Sequence, residues 1–143
     1  MNEKTFKQST DDLKVLGARY ATMRAHFEQV FAQAKRLAEE PESPMKGQGL
    51  LVEMDAGAIL IEFVGRRIRI SLRYDRKTGR GVLHVEDESA DLPETFERIE
   101  FRGTGETDLT NEHGDKLNLS QTGDCMLLVA RLIDTALDRD PWK

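Results

Sequence analysis

The chain has 143 residues, of which 38% are hydrophobic and 33% are charged, and its formal net charge at pH 7 is −5. A chain of this length fits one domain and can bury a core without disulfides or metal, and its single cysteine, Cys125, excludes an intramolecular disulfide. The net negative charge disfavours non-specific attraction to nucleic acid or to anionic lipid.

The first predicted element is a long helix over residues 11–38. Its apolar residues recur with alternating spacings of three and four, which is the pattern of a heptad repeat. The stripe consists of Leu13, Leu16, Tyr20, Met23, Phe27, Val30, Ala34 and Leu37, with Phe6 one step earlier. Ser9 or Thr10 is expected to cap the helix start. Pro41 ends the helix, because the residue before a proline is disfavoured in helical conformation.

The period of the apolar pattern changes to two after a linker over residues 41–49, which holds two prolines and two glycines. Residues 50–119 predict an antiparallel meander of six or seven strands, because short turn signals separate the alternating segments. The clearest strand has arginines on one face and apolar residues on the other. The apolar residues are Ile68, Ile70, Leu72 and Tyr74, and the arginines are Arg67, Arg69 and Arg73.

A second apolar stripe, between Met126 and Leu137, predicts a closing helix over residues 122–138, which Asp140-Pro141 ends. The predicted fold is α+β, a single domain over residues 1–143, with the C-terminal helix packed on one face of the sheet. The N-terminus lacks the apolar segment of a signal peptide, and no apolar run is long enough to cross a bilayer. We therefore expect a cytoplasmic protein with no membrane partner.

Catalytic and metal-binding patterns do not emerge from the sequence. The histidines His26, His84 and His113 lie on separate predicted elements and form no short-spaced ligand pair. Cys125 is followed by apolar residues, which favours a packed thiol over a nucleophile. A glycine-flanked serine motif is missing, and we recognise no family motif. We expect a non-enzymatic protein that needs neither metal nor cofactor.

The heptad stripe is the first candidate interaction surface. Either it covers the apolar face of the chain's own sheet, or it pairs with a second helix, which would be the C-terminal helix or the same helix of a second copy. The candidate interface residues share the a and d positions of the repeat: Leu13, Leu16, Tyr20, Met23, Phe27 and Val30.

The second candidate surface is a basic segment. Residues 66–80 contain seven basic residues and one acid, whereas residues 81–115 contain eleven acids. The candidate anion-binding residues are Arg67, Arg69, Arg73, Arg76 and Lys77. Local pairing with Glu62 and Glu86 on neighbouring strands is the favoured alternative. A third possibility is that the acidic segment of one copy faces the arginine strand of another.

The leading functional hypothesis is a protein-protein interaction or adaptor module that acts as a homodimer, so its partner is itself or another protein. Nucleic-acid or polyanion binding through the arginine strand is possible but less favoured, because no aromatic residue interleaves the arginines to stack on bases. A small-molecule site between the sheet and the helices is the third hypothesis.

Overall fold

The computed structural model describes residues 3–89 and 91–139, which form two helices and one seven-stranded meander. The element bounds are α1 Phe6–Glu39, β1 Leu51–Asp55, β2 Ala58–Phe63, β3 Arg66–Asp75, β4 Arg80–Asp87, β5 Glu94–Phe101, β6 Glu106–Thr110, β7 Lys116–Asn118 and α2 Thr122–Asp138. This confirms the predicted α+β fold, with a long N-terminal helix, an antiparallel sheet and a C-terminal helix packed on it. Asp140-Pro141, expected to end α2, lies outside the described residues.

Helix α1 begins earlier than the sequence pattern predicted, at Phe6 instead of residue 11. The cap is Thr5, whose hydroxyl accepts a hydrogen bond from the backbone N–H of Gln8, while the Gln8 side chain accepts one from the Thr5 N–H. This reciprocal capping box satisfies two backbone donors at the helix start. The expected cap at Ser9 or Thr10 is wrong, because the Thr10 hydroxyl instead donates to the Lys7 carbonyl inside the helix.

The sheet runs in sequence order from β1 to β7, and each strand pairs antiparallel with the next. The turns between the first three strands are Ala56-Gly57 and Val64-Gly65, and both residues of each turn have positive φ. Two positive φ values define the type I′ turn, whose twist matches the twist of the flanking strands. The glycines accept this conformation without steric cost, so these hairpins are tight and their registers are well defined.

The core lies between one face of the sheet and the two helices. From α1 it takes residues that begin at Met23, and Phe27 and Val30 are fully buried. The sheet contributes alternate residues of β1 to β5, and α2 contributes Leu128, Val129 and Leu132 among others. The gap between β2, β3 and α2 measures about 10 Å³, roughly the space of one water. That gap has no room for a small-molecule ligand.

The outward faces of the sheet strands carry charged residues over a few buried apolar ones, among them Leu60 and Val82. Neither helix in the described part of the chain is long and apolar enough to cross a membrane. The face that the helices do not cover therefore offers its charged side chains to solvent and to any ligand.

Gly81 lies where β4 crosses the fully buried ring of Phe101, and this contact generates a stability prediction. A Cβ at residue 81 would lie 2.4, 2.7 and 2.9 Å from three ring atoms of Phe101. Because that ring has no free space to move into, we expect Gly81→Ala to destabilise the fold by about 1–3 kcal/mol and to lower Tm by roughly 3–10 °C.

Thermal unfolding followed by circular dichroism measures this effect. Gly123→Ala in the first turn of α2 is the matched control, because a Cβ there meets nothing within 4 Å and alanine is the better helix former. A Gly81→Ala protein as stable as the control would contradict the packing described for Phe101.

Candidate functional site

Helix α1 divides into two parts with different surroundings. Its buried residues begin at Met23, so residues 6–22, which we call the free half of α1, extend beyond the core. Of the six candidate interface residues, the structure places Met23, Phe27 and Val30 in the core of the domain. Leu13 and Tyr20 lie on the free half and are 65% and 45% exposed, and Leu16 between them is half-buried.

The boundary between the two parts is held by polar contacts to the sheet. Arg24 donates to the Gly57 carbonyl over 3.3 Å, and His26 Nε2 lies 2.8 Å from the Gly103 carbonyl. These contacts attach α1 to the β1–β2 and β5–β6 turns. At 1.5 Å per residue, the free half extends roughly 25 Å beyond this attachment.

The first part of the arginine strand is paired locally. Arg67 lies 3.5 Å from Glu62 on β2, and Arg69 lies 2.8 Å from Asp55 on β1. Glu88 is a second acidic partner of both arginines. Hydrogen bonds to Asp55 and Glu88 raise the pKa of the Arg69 guanidinium above its ordinary value. Arg67 and Arg69 therefore already have their counter-ions within the chain.

Arg66, at the start of β3, belongs to a buried ion cluster around Asp87. Arg66 and Arg139 each approach the same Asp87 oxygen at 3.3 Å, and the backbone N–H of Ser89 donates to the other oxygen over 2.9 Å. Burial acts to raise the pKa of Asp87. Hydrogen bonds from Ser89 and Arg139 and the charge of Arg66 outweigh burial and hold that pKa below its ordinary value. Because Arg139 is the C-cap residue of α2, this cluster connects the C-terminal end of α2 to β3 and β4 and has a structural role.

The remaining basic residues of the segment 66–80, at the end of β3 and in the β3–β4 turn, have different surroundings. Within the described residues, the side chains of Arg73, Arg76 and Lys77 make no hydrogen bond or ion pair. Asp75 is engaged within the turn, where its carboxylate accepts the Lys77 backbone N–H over 2.9 Å. The Asp75 carbonyl accepts the Gly79 N–H over 2.8 Å, which closes the turn and projects the basic side chains from its tip.

A cleft of about 680 Å³ lies beside this turn on the outer face of β3, β4 and β5. We call it the basic cleft. Its lining consists of Arg73, Tyr74, Asp75, Arg76, Lys77, Val82, His84, Thr95 and Arg98. Val82 is opposite Arg73 in the β3–β4 register, and His84 is opposite Arg98 in the β4–β5 register. Four permanent cations and one acid therefore surround one cleft.

A β-bulge gives the cleft one of its polar groups. The β4–β5 register shifts between Val85 and Glu86, so that Thr95 pairs with Glu86 although Arg98 pairs with His84. The extra residue on β5 moves Thr95 to the same face as Arg98, which strict alternation would not do. The Thr95 hydroxyl lies 3.0 Å from His84 Nε2 and holds the ring over the cleft floor.

His84 has one satisfied and one unsatisfied ring nitrogen. Nδ1 lies 3.3 Å from a carboxylate oxygen of Glu86, but the direction of approach does not make a hydrogen bond, so Nδ1 has no partner in the described residues. Hydrogen bonds weaken steeply with misalignment, so the contact with Glu86 leaves Nδ1 without a hydrogen-bond partner. Glu86 therefore contacts His84, whereas sequence reasoning assigned it to the arginines.

Sequence reasoning did not include His84, Thr95 or Arg98 in a site. The alternation of His84 with Val85 and of Arg98 with Ile99 would have placed both side chains on the outer face. Their proximity to Arg73 follows from the strand registers, which the sequence pattern does not specify. Thr95 depends on the bulge and had no sequence signal.

Within residues 3–89 and 91–139, no three histidine, cysteine or acidic side chains form a group that could hold a metal ion. Cys125 is fully buried and its thiol donates to the Leu119 carbonyl over 3.1 Å. Burial, assisted by the nearby Asp124 charge, raises its pKa from 9.0 to about 12. Cys125 is thus a packed neutral thiol in this structure.

Comparisons with known proteins do not assign the chain to a group, because no family model, curated protein or solved structure matches it.

The raised pKa of Cys125 predicts how stability depends on pH. Because the folded state holds the thiol proton up to about pH 12 and the unfolded state releases it near pH 9, this contribution is complete below pH 9 and declines above it. At pH 11 the free energy of unfolding should have fallen by on the order of 2 kcal/mol more in the wild type than in Cys125→Ala.

Urea unfolding of both proteins at pH 8, 10 and 11 measures this difference. The variant serves as the control for the lysines and tyrosines that titrate in the same range. In parallel, a disulfide thiol reagent at pH 8 should leave Cys125 unmodified until denaturant is added. Parallel pH profiles for the two proteins would contradict the buried, neutral thiol.

Proposed function

We propose that the protein is a non-enzymatic interaction module that self-associates as a homodimer through the free half of α1. The observation that carries this proposal is the exposure of large apolar side chains on the free half of α1, beyond the part of the helix that the described core covers. Phe6 is 87% exposed and Leu13 is 65% exposed. They continue the same heptad stripe whose second half forms the core, so the stripe is half covered and half open.

A helix in water needs more than its own propensity to persist. Isolated helices shorter than about 12–15 residues are marginal, and most helical stability in proteins comes from packing of an apolar face. The free half of α1, residues 6–22, is only slightly longer than this and carries Gly17, which disfavours helix relative to alanine. A partner that covers Leu13, Leu16 and Tyr20 would supply the missing stabilisation.

A second copy of the free half fits this role in length when the two helices run antiparallel. Pairing Leu13 of one copy with Leu16 of the other fixes the remaining layers of the seam. Each layer joins an a position to a d position: Leu13 with Leu16, and Tyr20 with Ser9, so that the bulky Tyr20 faces the small Ser9. Phe6 comes to the end of the seam, where Met23 of the other copy is already buried in its own domain.

Charge favours the same antiparallel arrangement. Asp12 and Arg19 occupy g positions, which face each other across an antiparallel pair, so each Asp12 lies near Arg19 of the other copy. In a parallel pair, Arg19 would face Arg24 of the other copy, which brings like charges together. The existing contact of Asp12 with Lys4 joins two exposed side chains and stabilises little.

The strength of this dimer can be estimated from the side chains that it covers. Burying a leucine or phenylalanine that is otherwise exposed stabilises by roughly 1.5–3 kcal/mol. Phe6, Leu13, Leu16 and Tyr20 contribute twice, once from each copy, but Leu16 and Tyr20 are already partly covered. Because association itself costs several kcal/mol, a seam of four side chains from each copy is small, and we expect a dimer whose population depends on protein concentration.

Self-association is tested by light scattering after size exclusion across a range of protein concentrations. The wild type should approach twice 16.2 kDa at low and at high salt, because an apolar seam is not screened by ions. Leu13→Glu with Leu16→Glu should be a folded monomer. Val15→Glu is the matched control, since Val15 is 48% exposed but lies outside the a and d positions.

A wild-type monomer at all concentrations would overturn the proposed homodimer. A dimer that the double variant leaves intact would place the interface elsewhere. A monomer whose free half becomes protected only when another protein is added would assign the stripe to a different partner and reject the second copy as its occupant.

The antiparallel register makes a separate prediction for the charged flanks. Asp12→Arg and Arg19→Asp should each raise the dimer Kd about 2- to 10-fold, because each places like charges at two symmetric sites and such pairs contribute roughly 0.2–1 kcal/mol each. The double variant recreates the attraction with its sign reversed and should recover the wild-type Kd, measured by sedimentation equilibrium at low salt. A double variant weaker than both single variants would contradict the antiparallel register.

A further inference from the structure

We propose that the basic cleft binds the phosphate monoester group of a small phosphorylated molecule. The proposal rests on the outer face of β3, β4 and β5 and is independent of the dimer seam on α1. In this proposal Arg73, Arg76 and Lys77 bind a ligand, whereas Arg67 and Arg69 stabilise the fold through ion pairs within the chain.

Three of the four cations of the cleft have no counter-ion in the part of the chain that the structure describes: Arg73, Arg76 and Lys77. Arg98 shares Glu100 with Arg80, because Arg98 lies 3.8 Å from one carboxylate oxygen and Arg80 donates to the other over 3.2 Å. Asp75, the one acidic residue of the lining, is used by the turn. An acidic protein therefore keeps a local positive site, and such a cleft concentrates anions despite the opposite net charge.

The strand registers place these cations around one point. Arg73 on β3 and Arg98 on β5 flank β4 but are offset by two residues along the strands, so their Cα atoms are separated by roughly 12 Å. An anion above β4 is within reach of both guanidinium groups, with Val82 and His84 beneath it. Lys77 approaches from the β3–β4 turn. The His84 ring, held by Thr95 through Nε2, forms part of the cleft floor.

A phosphate monoester fits this arrangement better than a carboxylate. It carries close to two negative charges at pH 7 and three acceptor oxygens, so it can bind two guanidinium groups and an ammonium at once. Arginine binds such oxygens bidentately. A carboxylate offers a single charge and two oxygens, so it neutralises one of the three cations where a phosphate monoester neutralises two, and it has one acceptor oxygen fewer.

The cleft suits a small molecule better than a nucleic-acid strand. Its volume of about 680 Å³ falls within the range of small-molecule sites, about 300–1,000 Å³. Proteins that bind single strands offer aromatic rings on which successive bases stack. Tyr74 borders the cleft, but its side chain packs against the apolar core, so the cleft offers no series of rings on which successive bases could stack.

Isothermal titration calorimetry with phenyl phosphate tests the proposal, and phenyl sulfate is the matched ligand with one negative charge less. We expect saturable one-to-one binding of phenyl phosphate and at least 10-fold weaker binding of phenyl sulfate. Arg73→Gln with Arg98→Gln should weaken phenyl phosphate binding at least 10-fold, and Lys77→Gln alone should weaken it several-fold. These residues are exposed, so circular dichroism should show an unchanged fold.

Arg67→Gln is the matched control variant, because it removes an arginine from the same strand and face that is already paired with Glu62 and Glu88. It should retain phenyl phosphate affinity within about 2-fold. An equal loss in Arg67→Gln would indicate a diffuse field and overturn the site, as would absence of saturable binding to the wild type. An oligothymidine that binds at least 10-fold more tightly than phenyl phosphate would also overturn it, in favour of a polyanion surface.

Light scattering on the Arg73→Gln, Arg98→Gln protein separates this proposal from the dimer. The variant should keep the oligomeric state of the wild type while it loses phenyl phosphate binding. Loss of binding only together with a change in oligomeric state would overturn the cleft as a site that is complete within one copy.

Discussion

The packing of the second half of α1 on the apolar face of the sheet is the contact on which the rest of the structure depends. Phe27 and Val30 are fully buried there, and the helix is fixed at that position. A helix of 34 residues is roughly 50 Å long, whereas the longest strand, β3 with 10 residues, spans roughly 33 Å. The helix is therefore longer than the surface that can cover it. Because the helices cover one face of the sheet, only the opposite, charged face is open to ligands.

The heptad pattern predicted the helix correctly but not its surroundings, for a physical reason. Tyr20 and Met23 are consecutive members of one stripe, yet Tyr20 is 45% exposed and Met23 is 2% exposed. An apolar side chain is placed at every third or fourth position whether the covering surface is a sheet or another helix. The sequence pattern therefore predicts that the stripe is covered, and only the tertiary structure shows where the covering surface ends.

On the arginine strand β3, the alternation of residues predicts which face the arginines lie on but does not predict their acidic partners. Alternation correctly places Arg67 and Arg69 on the face opposite Ile68 and Ile70, because successive strand residues point to opposite sides. The identity of the acidic partners depends on hairpin geometry beyond the strand. Arg69 is opposite Glu86 in the β3–β4 register, but it binds Glu88, which lies beyond the end of β4. The bulge that brings Thr95 beside His84 had no sequence signal either, since an inserted residue inverts the alternation that the prediction follows.

The distribution of acids also bears on the proposed form of self-association. The acidic segment and the arginine strand were candidates for pairing between two copies. Within one copy, however, Asp87 and Glu88 already neutralise Arg66, Arg67 and Arg69. Transferring these acids to a second copy would leave partly buried arginines unpaired, and removing the partner of a buried charge is costly. Self-association through charge thus competes with the fold, whereas the free half of α1 has no such competing contact. The apolar seam is for this reason the better dimer surface, and the cations beyond Arg69 are left for a different ligand.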